Sequence, residues 1–147
     1  MKRRRFITLL GGASAAWPLA AHAQQTNRMR RIRVLMYLAA DDPDSPARVS
    51  AFARGLQGLG WIEGRNIQIE YRWGAGDMDR VRKYAAEIVA LVPDVILVSS
   101  GSALAALQNA TRTVPIVFVN VTDPVGAGYV ASLAHPAANT TGFTFRI

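Results

Sequence analysis

The sequence predicts an α/β fold: a doubly wound parallel sheet with strand order 2-1-3-4-5. Three observations carry that prediction. Strand-like and helix-like hydrophobic patterns alternate along the chain, which implies parallel strands joined by right-handed crossovers. Val95-Ile96-Leu97-Val98 is a continuous apolar run, as expected of a central strand with helices over both faces. Ile67, Ile69, Tyr71 and Trp73 alternate with Gln68, Glu70 and Arg72, which marks a strand with one wetter face at a sheet edge.

The elements follow in order. Ile32 to Leu38 is mostly apolar and reads as a buried strand, and Ala39 to Asp44 as a polar loop. Ser45-Pro46 reads as a helix start, a hydroxyl cap before the residue tolerated in the first helical turn. Val49, Phe52, Ala53 and Leu56 make one apolar helix face, and Gly58 and Gly60 end it. Glu63-Gly64 turns the chain into the alternating edge strand. After the loop Gly74-Ala75-Gly76, Asp77 caps a helix whose face is Val81, Tyr84, Ala85, Ile88 and Val92, and Pro93 stops it.

The central strand runs into Ser99-Ser100-Gly101-Ser102 and a short helix with Leu104 and Leu107. Val114-Pro115 precedes a fourth strand, Ile116 to Val119. Asn120-Val121-Thr122-Asp123-Pro124 then leads to a helix starting near Gly126 and Gly128, with Val130 to Leu133 as its apolar part. His135-Pro136 and a fifth strand, Thr141 to Phe145, close the domain. No internal repeat or low-complexity segment interrupts the pattern. In such sheets ligands sit beyond the carboxyl ends of the strands. That rule selects three loops: Ala40 to Asp44, Ser99 to Ser102, and Asn120 to Gly126.

Residues 1–23 form an export signal. Four basic residues precede Phe6, a broken apolar run extends to about Ala21, and Ala21-His22-Ala23 places small residues where a signal peptidase cleaves. The run is too short and too interrupted, by Gly11, Gly12 and Pro18, for a membrane anchor of about 20 apolar residues. Arg3-Arg4 followed by Phe6-Ile7 resembles the twin-arginine export motif, although a basic start also suits the general secretory route. The working protein is therefore expected to begin near Gln24 and to act in the periplasm. The whole chain carries a formal charge of +7, and four of those charges leave with the signal. Arg28, Arg30, Arg31 and Arg33 are expected to flank the first strand in solvent. Beyond Arg33, nine basic residues meet ten acidic ones. No basic face remains for nucleic acid. The chain has no cysteine, so the 124 residues from Gln24 must hold together by core burial, as a single domain.

The search for catalysis finds little. Asp41-Asp42 after the first strand suits a phosphoacceptor site, but the third strand ends in Ser99-Ser100 and no lysine follows Lys83. The first loop has no glycine for a dinucleotide fingerprint. A serine nucleophile needs a base, and His135 is the sole histidine after the signal, in a surface-like turn. The G-x-S-x-G elbow is absent, and no metal cluster is legible. Neither catalytic residue, metal nor cofactor is expected.

Binding is what remains. Ser100, Gly101 and Ser102 precede a helix whose free N–H groups and positive dipole end favour a carboxylate. Either serine can cap that helix, meet a ligand, or do both. Asp123 is placed against a ligand amine, with a turn cap as its other reading, and Asn120 shares its loop. Asp41 and Asp42 read as solvated loop charges, of which Asp41 is carried as a possible contact. Trp61 and Trp73 read as packing residues.

Five segments together resemble a known family. They are Gly55 to Asn66 (GLQGLGWIEGRN) with Ile69-Glu70-Tyr71-Arg72, Pro93 to Leu97 (PDVIL), Thr113 to Phe118 (TVPIVF), Asp123 to Gly128 (DPVGAG) and Asn139 to Phe143 (NTTGF). The sequence is similar to the ABC transporter substrate-binding proteins of the tryptophan/tyrosine type. That resemblance implies one lobe of a type I periplasmic-binding fold. It also implies a small-molecule solute, often an aromatic amino acid, delivered without catalysis to an ABC permease in the inner membrane. The family's chain is about twice this length and crosses to a second lobe just after the Gly142-Phe143 strand. The expectation is therefore an amino-terminal lobe, residues 24–147, truncated at the hinge. It would hold half a cleft and bind weakly, because closure normally desolvates the ligand. Phe145-Arg146-Ile147 departs from the family pattern. The alternative reading is a free-standing, exported flavodoxin-like interaction domain with no solute. An exported hydrolase ranks last for want of a base.

Overall fold

The computed structural model describes residues 28–136 and 139–144. The export signal and Phe145-Arg146-Ile147 lie outside the described residues. Five parallel strands form one sheet in the order β2-β1-β3-β4-β5. They are β1 (Arg30–Met36), β2 (Ile67–Trp73), β3 (Val95–Ser99), β4 (Ile116–Val119) and β5 (Thr140–Gly142). The helices are α1 (Ser45–Gly58), α2 (Met78–Ala90) and α3 (Gly101–Ala110). Every adjacent strand pair is parallel, and the alternating strand β2 is an edge, as its sequence predicts. Among the described residues no helix is long and apolar enough to cross a membrane.

Alternation along β1 splits the core into two. Leu35, Ile96, Val98, Ile116 and Phe118 face α2 and α3, whose Val81, Ala85, Ile88, Leu104 and Leu107 meet them. Ile32, Val34, Met36, Ile67 and Ile69 face the other way, toward Phe52 and Leu56 of α1. The strand order reverses between β1 and β3, whose loops lead to helices on opposite faces. That is the switch point where α/β sheets open a crevice.

The helix ends follow their local chemistry. Asp77 Oδ1 accepts from the Asp79 and Arg80 N–H groups at 2.9 and 3.2 Å, a true N-cap for α2. At the end of α1, Gly60 adopts φ +87°, its N–H reaches the Gln57 carbonyl and the Trp61 N–H the Leu56 carbonyl. This is a Schellman closure, which needs a residue at ease in the left-handed region.

Four expectations need correction. Ser45 does not cap α1. It is the first helical residue, and its buried hydroxyl donates to the Ala39 carbonyl at 2.8 Å, tying the helix back to the β1 loop. Val92 is not on the buried face of α2. It sits at φ +46° and is 73% exposed, because the helix ends at Ala90, ahead of Pro93, so helical spacing no longer carries Val92 to the core. The segment after Asp123 forms turns rather than a helix: Ala127 N–H bonds to Asp123 O, and Tyr129 and Val130 N–H to Pro124 O. Two glycines in three residues undercut helix propensity there. Val130 is buried, but Leu133 is 58% exposed.

The fourth concerns the basic stretch. Arg28 and Arg30 converge on Asp94, at 3.1 and 3.7 Å. Arg33, however, is buried. It lies on the strand face covered by α2 and α3, where alternation carries it beneath the helices rather than into water.

Candidate functional site

The carboxyl ends of β1, β3 and β4 lie side by side, because Met36 pairs with Ser99 and Ser99 with Val119 in the ladders. The predicted loops therefore start from neighbouring strands. The Ser100 N–H donates to the Val119 carbonyl at 3.3 Å, which joins the β3 loop to the start of the β4 loop.

Ser100 is the N-cap of α3, and its Oγ accepts from the Ala103 N–H at 3.3 Å. Its backbone stands at φ 93°, ψ 150°. That region is almost reserved for glycine and costs on the order of 1–3 kcal/mol for other residues. Ser102 Oγ lies 3.4 Å from Ser100 Oγ, so the two hydroxyls share one polar spot at the helix start. Gly101 opens α3 and lies under the Tyr129 ring; a Cβ there would meet the phenol oxygen at 3.0 Å. Tyr129 is in turn held by Gln108 of α3, whose Nε2 donates to the Tyr129 carbonyl at 2.8 Å and to Thr140 Oγ1 at 3.3 Å. A rigid strut thus runs from α3 through the β4 loop to β5.

Asn120 follows β4 at φ +56°, and Asp123 stands at φ +43°. Asn and Asp tolerate this region better than most residues, yet such conformations cluster where a loop is built for contact. Asp123 Oδ1 accepts from the Gly126 N–H at 2.9 Å, so this carboxylate caps its own turn while remaining exposed. Asp41 is exposed in the turn after β1, and among the described residues it makes no hydrogen bond to the β3 or β4 loops. Its neighbour Asp42 is used locally, accepting from the Asp44 N–H at 2.9 Å. Among the described residues, hydrogen bonds and ladder pairing thus join the Ser100 to Ser102 start of α3 to the Val119-Asn120 end of β4, while Asp123 is engaged in its own turn.

Sequence reasoning singled out neither Arg48 nor Tyr129, and it placed Ser99 in a selected loop and Phe143 in the last strand without assigning either a contact. Ser99 is buried at the end of β3, and with Asn120, Arg48 and Phe143 it lines a groove of about 390 Å³. A cation in the first turn of a helix at the carboxyl edge was a legible signal for Arg48. Nothing local points to Tyr129, whose role depends on contact with Gly101. Among the described residues no group of three histidine or acidic side chains converges as a metal ion would need.

Known proteins place this architecture. A family model for ABC transporter substrate binding proteins matches residues 32–145.

The chain belongs to the ABC transporter substrate-binding protein family.

Individual relatives in this family agree. A tyrosine-binding protein of Clostridioides difficile (strain R20291) is 29% identical over 119 residues, covering 81% of this chain and 34% of that protein. A conserved domain protein from Vibrio cholerae superposes with a TM-score of 0.71 at 34% identity, over 77% of this chain and 38% of its own. The ligand-free, open structure of a substrate-binding protein with adhesive properties from Clostridium difficile gives 0.70 at 29% identity, over 77% and 38%. An ABC domain from Streptococcus pneumonia in complex with L-Trp gives 0.70 at 26% identity, over 77% and 37%. The chain spans just over a third of the length of each.

Proposed function

We propose that this chain is the amino-terminal lobe of a periplasmic solute-binding protein that captures a small molecule for an ABC permease of the inner membrane. An aromatic amino acid is the first candidate solute. The observation that carries the reading is Ser100. A non-glycine residue holds a glycine-only conformation at the start of α3, beside Asn120, at the switch point of the sheet. Strain of that kind persists where the surroundings enforce it, and here it presents a hydroxyl and the free N–H groups of a helix start to one spot. A carboxylate suits those donors. The relatives that bind tyrosine and L-Trp support an amino acid as its bearer.

In this reading residues 1–23 export the chain and are removed near Ala23, and amino-terminal sequencing of the secreted product checks that step. The lobe supplies half a cleft, so capture is weaker than in a two-lobed protein, where closure removes water from the solute. Calorimetric titration of the chain with L-Tyr, L-Trp and L-Phe, against L-Leu and L-Arg, tests the solute. Saturable heat confined to the aromatic three is expected. Silence across all three rejects the aromatic assignment.

A further inference from the structure

All five strands are parallel, so every strand begins at the same end of the sheet and every helix returns to that end. Four segments meet there: the entry to β1 from residue 28, residues 59–66 between α1 and β2, 91–94 between α2 and β3, and 111–115 between α3 and β4. Hydrogen bonds tie the first three together. The Arg30 N–H donates to the Asn66 carbonyl at 2.9 Å, and the Asp94 carboxylate accepts from the Arg31 N–H at 2.8 Å and the Arg28 guanidinium at 3.1 Å. Trp61 borders the same pocket as Arg30 and Asp94.

Charge is divided unequally between the two ends of the sheet. Arg28, Arg31, Arg65 and Arg112 are exposed where the strands begin, with Arg30 half-buried among them, against Asp94 and Glu63. Six of the ten acidic residues lie at the other end: Asp41, Asp42, Asp44, Asp77, Asp79 and Asp123. Arg48, Arg80 and Arg82 offset only half of that charge. The molecule is therefore dipolar along its strands, cationic where they begin and anionic where they end. The cationic end is also apolar. Nine large apolar side chains are exposed among the described residues, and six of them are here: Met29, Leu59, Trp61, Ile62, Leu91 and Val92. Single exposed apolar residues are ordinary, but six set among arginines form a patch.

We infer that this end of the molecule rests on an anionic phospholipid surface. Charge alone would suit any polyanion. Apolar side chains among the arginines favour a partner that is negative at its surface and oily just beneath, and an indole belongs at that boundary. Each arginine near such a surface adds attraction, while the acidic end is repelled and turns away. Ser100, Asn120 and the other carboxyl-end loops then point away from the lipid. The inference goes beyond the solute reading, and its test uses no solute.

Flotation with vesicles decides it, using the secreted product without residues 1–23, whose apolar run would bind lipid by itself. Vesicles of phosphatidylglycerol mixed with phosphatidylcholine should carry the protein at low salt, and phosphatidylcholine alone should hold about tenfold less. Raising the salt to about 0.5 M should release most of it. Arg31→Gln with Arg65→Gln should weaken binding by about tenfold, and Leu59→Ser with Val92→Ser by a similar factor. Arg80→Gln with Arg82→Gln removes the same charge from the other end and should not weaken it. All six substituted side chains are exposed, and a thermal melt of each variant separates a folding defect from lost binding. No flotation with the mixed vesicles overturns the inference. So does an equal loss in the Arg80 and Arg82 double variant, which makes binding a matter of net charge. Binding that ignores Leu59→Ser with Val92→Ser overturns it too, and makes the cationic end a docking site for an acidic protein.

Discussion

Arg33 on β1 sits directly opposite Glu70 on β2, with its Nε 3.4 Å from Glu70 Oε2. The two side chains live in different environments: Arg33 is 7% exposed and Glu70 38%. Arg33 Nε and Nη1 have no hydrogen-bond partner, so the pair meets at ion-pair distance without bonding geometry. Removing Glu70 strands a buried cation, whereas removing Arg33 leaves a carboxylate that can turn to water. Glu70→Ala should therefore lower stability by about 1–2 kcal/mol, less than a fully buried pair costs because water screens the carboxylate. Arg33→Met should be neutral within about 1 kcal/mol, or stabilising. Urea midpoints of the two variants measure this, and the opposite ranking would refute the assignment.

Ser100 offers a test that separates structural from functional need. Ser100→Gly relieves the backbone at φ 93°, ψ 150°. Glycine in place of serine as N-cap loses only a few tenths of a kcal/mol, so a net gain of about 1 kcal/mol is expected. The same variant removes the hydroxyl from the shared spot and should weaken solute capture. Thermal melting and calorimetry on one preparation check both halves; a variant that is less stable, or that binds unchanged, contradicts this account of the site.

Gly142 closes β5 against β4 with no room to spare. A Cβ there would run into the Phe118 carbonyl oxygen and ring, and Phe118 is fully buried. Gly142→Ala should cost about 2–3 kcal/mol by overpacking. Gly55, in the last turn of α1, has nothing within 4 Å of such a Cβ. Gly55→Ala should gain up to about 1 kcal/mol from helix propensity. Melting temperatures moving in opposite directions are the expected result.

Burial pushes the Tyr71 phenol above its usual range, and Glu63 adds to that push through its charge. In the unfolded chain tyrosine ionises near pH 10, so above that pH the unfolded state loses a proton that the folded state keeps. Stability from this group is therefore complete below about pH 10 and is lost as pH rises toward the folded value. Tyr71→Phe should flatten that part of the alkaline limb in urea titrations run from pH 9 to pH 11. Tyr71 also stacks on Trp73, ring centroids 5.8 Å apart, so tryptophan emission follows the same transition.

Much of the fold is legible along the chain. The unbroken run at Val95 to Val98 and the alternation from Ile67 to Trp73 are enough to place a central and an edge strand. Asp77, Gly60 and Pro93 mark helix limits where the structure has them. Ser100 and Asn120 are legible too, since strand ends and the switch-point rule select their loops. These features depend on hydrophobic period and on bonds between near neighbours, which the local sequence contains in full.

Contacts between distant segments are a different matter. The Ser45 hydroxyl goes to Ala39 rather than to its own helix, Tyr129 braces Gly101, and Arg33 is buried opposite Glu70. No local pattern announces these, because each depends on which segment the finished sheet brings alongside. The basic stretch at the start of β1 is the clearest case. Arg28, Arg30 and Arg31 are plain in the sequence, and only the parallel sheet, which gathers every strand start at one end, sets them beside Leu59, Trp61 and Val92.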